Sequence, residues 1–247
     1  MQRSARPVPQ GADAVWNAGL GALDRLRVRS RRFLRSASRV IALEKTFADV
    51  TDARLREEAQ SLREVFRLGR DTSRDLERGF AVIREVATRE IGQRPFQVQV
   101  MGAWAIARGC VAEMATGEGK TLAATLPATV AGWRGRGCHV ITVNDYLARR
   151  DAEWMEKIYR FCGLTVAYIE QAMESDDRRA AYRADITYCT NKEVCADFLR
   201  DRLATGRAHD ATSVLLDTIA RGRPAARAVV QRGLHTAIVD EADSVLI

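Results

Sequence analysis

The chain has 247 residues, close to half of them apolar, and a formal net charge of +7. That length buries a sizeable core in one large or two small domains, and no run of eighteen apolar residues offers a membrane-spanning helix. The charge falls on arginine, with lysine confined to Lys45, Lys120, Lys157 and Lys192, and a basic balance favours nucleotides, nucleic acid or anionic lipid as partners.

Residues 1–40 are rich in arginine and poor in acid. Arg25, Arg27, Arg29, Arg31, Arg32, Arg35 and Arg39 surround Val15, Trp16, Leu20, Leu23, Leu26, Val28, Phe33 and Leu34. The pattern suits a basic amphipathic helix on an anionic membrane surface. A solvated basic tail and a transit peptide are the other readings. No apolar stretch of signal-peptide type occurs at the N-terminus. From Ile41 to Gly92 the pattern is helical. Leu43, Phe47, Leu55, Ala59, Leu62 and Phe66 recur at helical intervals with Glu/Arg faces between them. Gly69-Arg70-Asp71 breaks the run. Asp71 or Ser73 is expected to cap a further helix through Leu76, Phe80, Ile83 and Val86, which ends at Gly92 ahead of Pro95. This 41–92 region reads as a packing element without a catalytic group.

From Arg94 onward (region 93–247) strands and helices alternate. The expected strands are Val111–Met114, His139–Val143, Thr165–Ile169, Asp185–Cys189 and Thr236–Asp240. The expected helices run from Asp145 to before Gly163, over Asp176–Ala184, and over Asn191–Leu203. Short apolar runs alternating with helices predict a parallel sheet covered on both faces, with ligands at the carboxyl ends of its strands. Residues 205–233 break this rhythm. Val214, Leu215 and Ile219 suggest a turn or two of helix broken by Gly222-Arg223-Pro224, and the stretch reads as a surface insertion.

Two motifs carry chemistry. Glu113-Met114-Ala115-Thr116-Gly117-Glu118-Gly119-Lys120-Thr121 lies between an apolar run and a helical pattern (Leu122, Ala123, Leu126, Ala128, Val130), the setting of a phosphate-binding loop. Gly117 and Gly119 let the backbone curl so that several N–H groups face one phosphate. The start of the following helix adds its positive end. Lys120 supplies charge to the β- and γ-phosphates, and the Thr121 hydroxyl is a ligand for Mg2+. Met114 stands where the strict pattern has its first glycine. About 120 residues on, Val239-Asp240-Glu241-Ala242-Asp243 places an acidic pair at a strand end. Asp240 is expected to hold Mg2+ through water and Glu241 to orient or deprotonate the attacking water. About 20 residues before Lys120, Gln99 offers an amide donor and acceptor that match adenine; the alternative is a surface glutamine. The five cysteines are scattered with no Cys-x-x-Cys pair, and His139, His209 and His235 lie at no metal spacing. Reduced thiols and no zinc are expected.

Six segments together resemble the SecA family of preprotein translocase ATPases, over roughly Leu76–Ile247. They are Phe80–Glu85, Phe96–Gln99, Ala112–Thr121, Thr142–Asp151 (Thr-Val-Asn-Asp-Tyr-Leu-Ala-Arg-Arg-Asp), Ala184–Tyr188 and Val239–Ser244. The resemblance implies an α/β fold, a RecA-like parallel sheet with helices on both faces, preceded by an α-helical N-terminal region. It implies that Gln99 reads adenine, that Thr116, Gly117, Glu118, Gly119, Lys120 and Thr121 hold the phosphates, and that Arg150 lies near the nucleotide or couples the site to the rest of a motor. ATP and Mg2+ are the implied cofactors. The implied partners are a SecYEG-type translocon, unfolded preprotein and an anionic membrane met by the basic N-terminus, with no specific nucleic acid. The implied location is cytoplasmic, peripheral on the inner membrane of a bacterium.

Departures from the family pattern occur at Thr190-Asn191-Lys192-Glu193-Val194-Cys195-Ala196 and in the long 205–233 stretch, and they suit a divergent paralogue. The sequence given stops at Ile247, short of the remainder of the first motor lobe and of the second lobe that supplies arginine fingers in the family. The chain alone is therefore expected to bind nucleotide weakly and turn over little. A helicase-type ATPase, or a membrane-associated nucleotide-binding module without turnover, are the competing readings.

Overall fold

Local sequence signals start and stop the N-terminal helices. The computed structural model describes residues 29–115, 117–205 and 229–245. Residues 1–28, Thr116 and most of the expected insertion (206–228) lie outside the described residues. The chain enters through α1 (Arg29–Ala42), the single turn α2 (Glu44–Phe47), α3 (Asp52–Arg67) and α4 (Ser73–Ile91). The described part of the basic segment packs against the body. Ala37 and Val40 are fully buried, Arg39 pairs with Glu77 at 3.0 Å, and Gln97 donates to the Ser38 hydroxyl at 2.8 Å.

The cap of α4 differs from the expected Asp71 or Ser73. Thr72 accepts from the Asp75 N–H, and the Asp75 carboxylate takes the Thr72 N–H at 2.8 Å. This reciprocal arrangement needs an acid three residues after the cap, and Thr72 has one. Asp71 instead pairs with Arg134, and the Ser73 hydroxyl accepts from Arg108. Gly92 closes α4 in the left-handed conformation, φ 67°, as the sequence suggested.

Helix α5 (Gln97–Ala107) was not legible in the sequence. Its residues are apolar on almost every side, so no 3.6-residue polar stripe marks it. The expected strand at Val111–Met114 is absent: Cys110–Ala115 is irregular and the Val111 side chain is 90% exposed. A strand needs a ladder partner, and among the described residues this segment has none.

Helix α6 (Lys120–Trp133) leads into a four-stranded parallel sheet made of β1 (Cys138–Thr142), β2 (Val166–Tyr168), β3 (Ile186–Thr190) and β4 (Thr236–Val239), in the order β2-β3-β1-β4. Val140 stands opposite Tyr188 on one side and Ile238 on the other. Side chains alternate as the pleat requires. Cys138, Val140, Ile186, Tyr188 and Ile238 join the large core on one face, while Ile141, Ala167 and Cys189 join a smaller core on the other. Helices α6 and α7 (Asp145–Phe161) cover the first face; α8 (Ser175–Tyr182) and α9 (Asn191–Thr205) flank the sheet as well. The large core also takes in Phe47, Leu55, Phe66, Phe80 and Trp104, so the N-terminal helices and the sheet share one interior. Trp133 is its hub. Its ring stacks on Phe66 with centroids 5.7 Å apart, and its indole N–H donates to the Cys162 carbonyl at 3.0 Å. Among the described residues no helix is long and apolar enough to cross a membrane.

Candidate functional site

The carboxyl ends of β1 and β4, neighbours in the sheet, define the crevice. The crossover from β1 leads to β2 on one side while β4 lies on the other, a reversal of strand order of the kind beside which ligands settle in open α/β sheets. The Asp240 N–H donates to the Ile141 carbonyl at 2.8 Å, so it extends the β4 ladder by one residue. The short helix α10 (Ala242–Val245) then turns away. Asn191, at the start of α9, donates to the Val245 carbonyl at 3.2 Å and ties this turn to the end of β3.

The loop before α6 faces the same crevice. Gly117 and Gly119 have φ of 85° and 74°, conformations that a side chain strains. At Gly119 a β-carbon would also sit 2.3 Å from the Gln99 amide nitrogen. The torsion is what requires glycine there, since the Gln99 amide is the end of a flexible side chain and can move aside. Helix α6 starts at Lys120 with no side-chain cap, which leaves its first N–H groups available to a ligand. The Glu118 carboxylate folds back to accept the Ala115 N–H at 2.9 Å and closes the loop on itself.

The two motifs meet at one contact. The Lys120 ammonium lies 3.3 Å from one Glu241 carboxylate oxygen and 3.5 Å from the other, across 121 positions of sequence. Both side chains are about a third exposed, so solvent reaches the pair. Glu241 has φ 51°, the one positive value for a residue other than glycine among the described residues. Strain of this kind gathers at functional turns. Asp240 accepts its neighbour's N–H at 2.9 Å. Burial pushes its carboxyl above the usual range; the Glu241 charge and that of Asp151 add to this, and Lys120 opposes it.

Gln99 lies buried at the first turn of α5. Its amide oxygen accepts the Phe96 N–H at 2.7 Å and its amide nitrogen donates to the Glu118 carbonyl at 2.8 Å. Both ends of the amide are therefore engaged, one on its own helix start and one on the glycine loop. Arg150 is on α7, and its recorded partner is the next residue, Asp151, at 2.8 Å. Asp151 is buried, and burial raises its carboxyl while Arg150 opposes the shift. The Thr121 carbonyl accepts from Thr125, and its side chain is half-buried. The structure thus gathers Gln99, Gly117, Glu118, Gly119, Lys120, Thr121, Asp240 and Glu241, while Arg150 pairs with Asp151 and makes no hydrogen bond or ion pair with any of them. Thr116 is outside the described residues. Phe96 was not singled out from the sequence. It is 73% exposed immediately before α5, and an exposed ring beside a buried glutamine was the available signal.

A curled loop with two left-handed glycines, a helix start, a lone ammonium and two carboxylates fits a polyphosphate bearing a divalent cation. Lys120 offers charge to the phosphates, while Thr121 and Asp240 offer hard oxygen ligands of the kind Mg2+ takes.

Comparison with known proteins bears on the whole chain. The sequence model of the SecA DEAD-like domain matches residues 23–247. A protein named protein translocase subunit SecA from Acidithiobacillus ferrooxidans is 46% identical over 224 residues, 91% of this chain and 22% of that protein. One of the same name from Kineococcus radiotolerans is 47% identical over 240 residues, 97% of this chain and 24% of its own length. A protein translocase subunit SecA 2 from Magnetococcus marinus is 42% identical over 246 residues, 98% of this chain and 38% of the relative. The chain thus spans well under half the length of these relatives.

Proposed function

The chain belongs to the SecA DEAD-like domain family, and from that premise we propose that it is the nucleotide-binding part of a preprotein-translocating ATPase. The single observation that supports this most is the contact between Lys120 and Glu241, which joins the phosphate loop to the acidic pair. In this reading the loop N–H groups from Gly117 to Thr121 and the Lys120 ammonium hold the phosphates of ATP. Thr121 as a direct ligand and Asp240 through water would hold Mg2+, which when bound would supply charge neutralisation to the phosphoryl group. Glu241 orients a water and accepts its proton. Gln99 turns part of its amide to adenine, and the exposed Phe96 ring offers the base a stacking face. Arg150 lies near the nucleotide or couples the site to the rest of the motor. Entry of a phosphate breaks the Lys120–Glu241 pair, which frees Glu241 for water. The same Gln99 that senses the base touches the Glu118 carbonyl, so occupancy of one half of the crevice bears on the other.

The wider reading follows the relatives. The protein couples hydrolysis to preprotein transport across the bacterial inner membrane, with a SecYEG-type translocon and unfolded preprotein as partners. It sits peripherally on the cytoplasmic face, where the basic residues 1–40 meet anionic lipid. Residues 41–92 brace the lobe formed by 93–247, and 205–233 is an insertion on it. Assayed alone, the 247 residues turn over slowly. Phosphate release tests this, measured on the chain and on the product of its complete reading frame. Stimulation by inner-membrane vesicles with an unfolded preprotein is expected. Stimulation by RNA and none by vesicles would replace this reading with a helicase-type one.

A further inference from the structure

A second concave site lies at the opposite, amino end of the sheet. Helix α7 leaves the carboxyl end of β1 and finishes just before the amino end of β2. Its 17 residues span about 25 Å at 1.5 Å per residue, which separates its last turn from the phosphate loop. There a cavity of about 390 Å³ opens between α3 and the end of α7. Its wall carries Arg56, Arg63, Arg67 and Arg160 against one acid, Glu64. Arg56, Arg63 and Arg67 follow one another at helical spacing along a single face of α3. The Arg63 guanidinium is oriented by the Gly163 carbonyl at 2.6 Å, and that of Arg56 lies over the Phe161 ring, 4.6 Å from its centre. Arg160 pairs with Glu156 at 2.7 Å outside the cavity wall.

The plain structural role of such arginines is to satisfy the carbonyls at the end of α7, where the helix dipole is negative. Arg63 does this. It leaves Arg56, Arg67 and Arg160 without a backbone duty in the wall, and Arg67 has no carboxylate partner among the described residues. Guanidinium groups crowded around one concave space repel each other until an anion enters. Their planar forks suit the paired oxygens of a phosphate. The volume lies in the range of small-ligand pockets.

We propose that this cavity is a binding site for a small phosphorylated ligand, with phosphate gripped by Arg63, Arg67 and Arg160 and the remainder resting against the Arg56–Phe161 stack. The phosphate belongs either to a soluble compound or to a lipid headgroup. Trp133 reports on the site, because its indole N–H donates to the carbonyl of Cys162 in the cavity wall.

The probe is pyrophosphate, titrated into the full chain carrying Lys120→Ala so that the phosphate loop has lost its main charge. The expected result is a saturable shift of the Trp133 indole signal in the nitrogen-15 spectrum. Adding Arg67→Gln with Arg160→Gln weakens binding at least about tenfold, and Glu64→Gln tightens it. Both arginines are exposed, so circular dichroism should match the parent. If the double variant misfolds, Glu64→Gln decides, and unchanged affinity there overturns the site. An unmoved Trp133 signal, or equal affinity in the folded double variant, overturns it too. Flotation with phosphatidylglycerol against phosphatidylcholine vesicles separates the sources. Flotation that falls in the double variant and is displaced by pyrophosphate assigns a lipid headgroup; flotation that does not change, beside arginine-dependent pyrophosphate binding, assigns a soluble ligand.

Discussion

Lys120 pairs with Glu241, the residue proposed to accept a proton from water. A solvent-exposed ion pair of this kind is worth about 0.2–1 kcal/mol, so its removal has a readable effect. Glu241→Gln should bind ATP up to about fivefold more tightly while losing hydrolysis; weaker binding would mean that Glu241 helps to hold nucleotide. Asp240 gives a pH signature. Burial raises its carboxyl, so the proton is kept in the fold at a pH where an unfolded aspartate has lost it. Its ionisation therefore disfavours the native state as pH rises through the window between the ordinary and the raised value. Asp240→Asn should raise the melting temperature at neutral pH and weaken Mg2+-dependent nucleotide binding. For the unsubstituted chain, Mg2+-dependent binding should fall as pH drops toward the raised value, measured by fluorescence titration across acid pH. The sequence named these residue types and their spacing. It did not reveal that Gln99 bonds Phe96 and Glu118, or that Glu241 adopts a positive φ, because both depend on neighbours brought by the fold.

At the scale of elements, β1, β3 and β4 were legible because each is a short apolar run bounded by turn residues, and their boundaries moved by a residue or so. Helix α5 was hidden by its uniform apolarity, and Val111–Met114 resembled a strand because an apolar run does not state whether a partner lies beside it. The capping residue of α4 was missed because Asp71, Thr72 and Ser73 are all good caps in isolation; Asp75 chooses between them. Buried charge ties α8 to α9 and to the loop after β2. Arg178 is almost wholly buried, contacts Asp197 at 2.9 Å and Glu193 at 2.6 Å, and donates to the Met173, Glu170 and Gln171 carbonyls. Arg178→Ala leaves the half-buried Glu193 without a cation and the buried Asp197 with only Arg200 and the Tyr182 hydroxyl, and should cost about 3 kcal/mol, read as the shift in urea unfolding. A change under about 1 kcal/mol would mean that the acids find water or another partner.

For the molecule as a whole, one core joins the N-terminal helices to the sheet, so the two should unfold together. Its acid response has an identifiable component. Burial, with the Arg232 charge, lowers the His139 imidazole to about 4 from 6.5. The unfolded chain takes up that proton first, so stability is lost as pH falls from 6.5 toward 4, by up to about 3 kcal/mol. His139→Phe should flatten the unfolding free energy over that interval, and an unchanged slope would assign acid sensitivity to the carboxylates. The sequence foresaw the α/β class and the family, because motif spacing and strand–helix alternation survive without coordinates. It did not foresee the arginine cavity, because Arg56, Arg63 and Arg67 read as a solvated helix face until Arg160 and Phe161 come to lie beside them.

The measurement that bears most directly on the nucleotide site is Mg2+-dependent binding of a fluorescent ATP analogue to the chain, to Lys120→Ala and to Asp240→Asn. Saturable binding that needs Mg2+ and weakens at least about tenfold in both variants is the predicted result. Equal affinity in all three proteins would contradict the joining of the phosphate loop and the acidic pair into one site.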